Sequence, residues 1–87
     1  MFNLKPIRLS KHANEQLKFR GTTKQEIEEA IRTSSWQLAE LGRLECRKDF
    51  IFESNWNKKQ YKIKQVRPIF VEEEKEIVVI TVYTYFF

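Results

Sequence analysis

Eighty-seven residues leave room for one domain, spanning 1–87, and a 41% hydrophobic, 14% aromatic composition is enough to fill a single core. A net charge of +4 leans toward polyanionic partners, while one cysteine, Cys46, excludes an internal disulfide and a Cys/His metal cluster. The opening stretch MFNLKPIRLS is too polar for a secretory leader and no apolar run nears the roughly 20 residues of a membrane helix, so a reducing, cytoplasmic setting without membrane contact is expected.

Residues 5–9 read as a short strand. Pro6 lacks an N–H and suits a strand start or edge, and Ile7 and Leu9 alternate inward. Residues 10–21, SKHANEQLKFRG, form the first helix. Ser10 is an N-cap and Gly21 a C′ residue able to take positive φ. Ala13 and Leu17 share the core face; His12, Gln16 and Arg20 form a polar ridge one place round. Thr23 and Glu26 spell a capping box for a second helix ending near Ser34. Its buried stripe is Ile27, Ala30 and Ile31, with Gln25, Glu28, Glu29 and Arg32 facing water. Trp36 should pack at the helix exit, and Leu38 and Leu41 should carry an apolar contact through a loop to Gly42.

From Arg43 the period becomes two. Leu44, Cys46, Phe50 and Phe52 alternate with Arg43, Glu45, Arg47 and Asp49, and Lys48 marks a bend. Residues 55–59 are a polar tip. The next strand begins at Tyr61 and Ile63 and runs to Val71, with Pro68 requiring a ladder gap or bulge. Residues 72–76 are an acidic hairpin tip, and residues 77–86 form the most completely covered strand. The order predicts an α+β fold: two N-terminal helices packed on one face of an antiparallel sheet of three to four strands. The other face stays partly open and carries Arg, Lys and Tyr side chains.

Lys11-His12-Ala13, Arg20-Gly21, the helix over 23–32 and the closing Thr81-Val82-Tyr83 resemble a small bacterial domain family with a KHA-x-x-R-x-x-x-RG helix and a terminal TVY strand. That family is similar to the RelE/ParE-like toxins of type II toxin–antitoxin systems. The resemblance implies a toxin that cleaves mRNA as a metal-independent endoribonuclease, with no cofactor, held in check by a cognate antitoxin protein and possible to place on the ribosome. Gln16 departs from it, standing where the pattern has arginine.

Metal-free RNA cleavage needs an acid, a base and fixed cations. His12 titrates near neutrality when unperturbed. Arg20 and Arg67 can clamp a phosphate with a guanidinium fork, and Tyr83 can stack a base or offer a phenol; these four are the expected catalytic set. Lys11, Lys64, Thr81 and Tyr85 are the expected substrate-binding set. Each has a plainer role open to it: a helix-end hydrogen bond for His12 and Arg20, a solvated strand face for Lys64, cross-strand packing for Thr81 and Tyr83. Two further readings share the fold: a binding module for RNA or antitoxin without catalysis, and a gyrase inhibitor of the ParE kind.

Overall fold

The protein is described by a computed structural model covering residues 5–87; the first four residues of the polar opening stretch lie outside the described residues. Both helices form where their caps place them. In α1 (Lys11–Arg20) the Ser10 hydroxyl accepts from the Ala13 N–H, and Gly21 closes the helix at φ 68°. In α2 (Lys24–Thr33) the Thr23–Glu26 capping box is complete in both directions. Ala13, Ile27, Ala30 and Ile31 are buried, as their spacing requires. Glu28 and Arg32 are half-buried rather than fully solvated, and one Arg32 guanidinium N–H donates to the Lys5 carbonyl. Trp36 plugs the exit of α2: its indole N–H donates to the Ile31 carbonyl at 2.7 Å and its ring meets Phe70 edge-on.

The sheet differs from the expected three or four antiparallel strands. It is a six-stranded mixed sheet in which strands outweigh helices, in the order β1-β6-β5-β3-β2, with β4 also on β5. These are β1 (Ile7–Leu9), β2 (Gln37–Leu38), β3 (Leu44–Glu45), β4 (Lys48–Trp56), β5 (Lys59–Glu72) and β6 (Ile77–Phe86). Three physical causes account for the difference. First, β1 pairs in parallel with β6, Ile7 beside Ile77 and Leu9 beside Val79, a contact across the whole chain that no local pattern announces. Second, the alternating run from residue 43 is two strands. β3 pairs with Ile69 and Phe70, whereas β4 starts at Lys48 opposite Val66. Arg67 and Pro68 fall in the gap between them, so Pro68 costs no ladder bond on that side. Third, Gln37 and Leu38, expected as loop, pair with Glu45 and Leu44.

The segment after β2 also behaves differently from expectation. Leu38 and Leu41 stay outside the core: they are 82% and 84% exposed. Leu41 and Gly42 both take left-handed backbone, φ 61° and 72°, in a short 3-10 turn (Glu40–Gly42). A leucine held there is strained by roughly 1–2 kcal/mol.

Helix α1 covers the stretch of β6 that β1 is too short to reach. The Gln16 side-chain oxygen accepts from the Val82 N–H at 3.3 Å and from the Thr81 hydroxyl, and the Thr84 hydroxyl donates to the Arg20 carbonyl. At the far end the β4–β5 hairpin turns through Asn57 and Lys58, both at positive φ as a two-residue hairpin requires. Trp56, expected in a polar tip, stacks on Phe86 at 5.0 Å, and its ring lies against Gly21. Among the described residues no helix is long and apolar enough to cross a membrane.

Candidate functional site

Strand parity decides which side chains reach the open face. Val66 and Phe70 of β5 and Val79 and Val82 of β6 lie in the core under the helices. A strand alternates sides, so Gln65, Arg67 and Ile69 project oppositely, as do their partners Tyr85, Tyr83 and Thr81. Ile80 is the extra residue of a bulge, because Phe70 pairs with Val79 and Ile69 with Thr81. The bulge sets Thr81, Tyr83 and Tyr85 on the open face in step with Arg67.

Arg67, Thr81 and Tyr83 help to floor a cleft of about 510 Å³. Glu45, Arg67, Ile69, Thr81 and Tyr83 form its base, and the β2–β3 connection, with Leu38, Glu40, Leu41 and Arg43, forms one wall. Arg67 and Arg20 both lie against the Tyr83 ring, their guanidinium carbons 5.4 and 5.2 Å from its centroid. Arg67 comes from the neighbouring strand and Arg20 from the last turn of α1. Each gains cation–π attraction, of the order of 0.5–1 kcal/mol at an exposed site.

Arg67 is the most connected group in the cleft. Its Nε and Nη2 donate to the two carboxylate oxygens of Glu45 at 2.7 and 2.9 Å, and Nη1 donates to the Tyr85 hydroxyl at 3.2 Å. Glu45 also lies 3.6 Å from Arg47 Nε. The hydrogen bonds from Arg67 hold the Glu45 carboxyl below its ordinary range despite burial, and Glu45 in turn raises the guanidinium. Glu45 thus stays ionised, with both oxygens held by Arg67.

The expected site residues divide into two groups. Arg20, Arg67, Thr81, Tyr83 and Tyr85 come together on the open face. His12, Lys11 and Lys64 do not join them. His12 and Lys11 are exposed on the first turn of α1, their side chains make no hydrogen bond or ion pair to another described residue, and neither lines the cleft. Lys64 is on the helix side, 7% exposed, with Nζ 2.8 Å from Glu26 and 3.0 Å from the Gly21 carbonyl. Its parity with Val66 and Phe70 points it inward, and Glu26 satisfies its charge there. Glu45 was missed as a site residue because its alternation with Leu44 and Cys46 reads as a solvated face. No local signal announces it: the antiparallel pairing of 44–45 with 69–70, which brings Glu45 beside Arg67, is a long-range contact. Cys46 is buried as expected, and burial pushes its thiol up to about 12, leaving it unreactive at neutral pH. No group of three His, Cys, Asp or Glu side chains able to hold a metal occurs among the described residues. Comparison with protein-family models, with curated proteins and with solved structures gave no match.

Proposed function

We propose that the open face binds single-stranded RNA and cleaves it without a metal ion, as the toxin of a type II toxin–antitoxin pair. The observation that carries the cleavage reading is the convergence of an ionised carboxylate, two guanidiniums and two phenols on one open face: Glu45, Arg67 and Tyr83 in the cleft, with Arg20 and Tyr85 in direct contact with them. The toxin role draws its support from the resemblance carried by Lys11-His12-Ala13, Arg20-Gly21 and Thr81-Val82-Tyr83.

The chemistry assigns one step to each group. Glu45, freed from the Arg67 fork by the incoming phosphate, takes the proton from a ribose 2′-OH as that oxygen attacks the adjacent phosphorus. Arg67 and Arg20 neutralise the charge gathering on the phosphorane oxygens. The P–O5′ bond breaks, and the departing 5′-oxygen takes a proton from a phenol or from water, leaving a 2′,3′-cyclic phosphate and a 5′-hydroxyl. Tyr85, exposed on the same face, offers stacking surface to an unpaired base, while the Tyr83 ring lies against the two guanidiniums. His12 has no part in this scheme.

The test is digestion of a long RNA by the purified protein in EDTA. Glu45→Gln and Arg67→Ala should each slow cleavage by about a hundredfold or more, while His12→Ala stays within about twofold of the parent. Cleavage that dies in His12→Ala and survives in Glu45→Gln overturns the assignment. One observation favours a binding-only module instead: the fork of Arg67 is already filled by Glu45. Tight RNA binding with no cutting by the unaltered protein selects that reading.

A further inference from the structure

The geometry points to Glu45 as a built-in occupant of an oxyanion site: it holds the Arg67 fork until a phosphodiester displaces it, and Arg47 receives it when it leaves. This rests on reading the open face as an anion site, and it holds whether or not RNA is cut there.

The shape of the pair is the first argument. Glu45 meets Arg67 through Nε and Nη2 with both oxygens, at 2.7 and 2.9 Å. A phosphodiester presents the same edge to a guanidinium: two oxygens sharing one negative charge. The pair is not sealed in the core. It forms part of the base of a solvent-open cleft, and the Arg67 side chain keeps 23% of its surface. A ligand can therefore reach the fork without unfolding anything.

Displacement needs a destination for Glu45, because an ionised carboxylate left buried and unpaired is costly. Arg47 supplies one. Its Nε stands 3.6 Å from Glu45 Oε2, beyond hydrogen-bond range but close enough to attract, and its side chain is 53% exposed and free to adjust. A short swing shortens that contact while vacating Arg67. Glu45 thus has two cations within reach, one inside the cleft and one outside it.

The exchange also explains what the ligand must bring. Trading a carboxylate for a phosphodiester on Arg67 gains little by itself, since the two are alike. The surplus comes from groups that Glu45 does not touch: Arg20, which also lies against the Tyr83 ring, and the exposed Tyr85 ring for a base. The site therefore discriminates against bare anions and in favour of a nucleotide strand, which engages these together.

Calorimetric titration of the full chain with inorganic phosphate and with an oligodeoxynucleotide, which lacks the 2′-OH and cannot be cut by this route, tests the exchange. Glu45→Gln removes the competing charge and should tighten both ligands roughly ten- to hundredfold, the scale of one charge-assisted pair. Arg47→Ala removes the destination and should weaken both by about three- to tenfold. The Arg67 Nε–H resonance, followed by NMR in the unaltered protein, should shift as oligonucleotide is added, and thermal melts establish that each variant is folded. Affinities unchanged in both variants, or an Arg67 resonance that does not move at saturation, make the pair a fixed strut and overturn the proposal. Failure to cut RNA, combined with tighter binding by Glu45→Gln, removes the nuclease reading and leaves the exchange standing.

Discussion

Gly21 and Gly42 have the same backbone sign and opposite surroundings. Both are left-handed, at φ 68° and 72°. A Cβ on Gly42 would meet nothing within 4 Å, whereas one on Gly21 would stand 2.7 and 2.8 Å from ring atoms of Trp56. Gly42→Ala should cost about 1 kcal/mol, the conformational penalty alone. Gly21→Ala should cost on the order of 3 kcal/mol, because the Trp56 ring must also move off its stack on Phe86. Urea unfolding of the two variants measures the difference, and equal losses would show that the ring yields freely. Lys64 makes a second point about single residues. Its even-numbered parity with Val66 and Phe70 was legible in the sequence and was outvoted by its charge. Lys64→Met should lower stability by about 2 kcal/mol, since it strips a partly buried Glu26 of its cation. RNA affinity, measured by filter binding well below the melting temperature, should not change. A loss of affinity without a loss of stability would return Lys64 to the binding face.

Among elements, the helices were readable and several strands were not, for one physical reason. Helix ends are decided within four residues, so Ser10, Gly21, Thr23 and Glu26 announce their own structure. Strand partners are decided at a distance. Nothing near Ile7 says that it lies beside Ile77, and nothing near Gln37 says that it pairs with Glu45. Pro68 is the informative exception: the missing N–H required a ladder gap, and the gap lies where β3 gives way to β4. Gln16 shows how one element docks on another. An amide oxygen can accept from the Val82 N–H and the Thr81 hydroxyl; a guanidinium, having only donors, cannot. Gln16→Arg should therefore lose about 1–2 kcal/mol and expose the Val82 amide, while Gln16→Glu keeps the acceptor and holds near the parent. Hydrogen exchange at Val82 distinguishes them, and equal protection in both variants would mean that α1 needs no such contact.

At the scale of the molecule, the sheet has two unlike faces, both foreshadowed by alternation along the strands, though not what the open one would hold. Its aromatic and basic residues were visible as alternation; the cleft was not, because its wall depends on an exposed leucine in a backbone region that leucine seldom adopts. The strand formed last along the chain lies between β1 and β5, so its removal leaves both with a bare flank. It is joined to β5 through the solvent-exposed acidic turn at 73–76. A nick in that turn would divide the cleft itself, leaving Glu45 and Arg67 on the longer fragment and Thr81, Tyr83 and Tyr85 on the shorter. The constellation would then exist only while the two fragments stay paired along the ladder from Lys64–Phe86 to Glu72–Ile77.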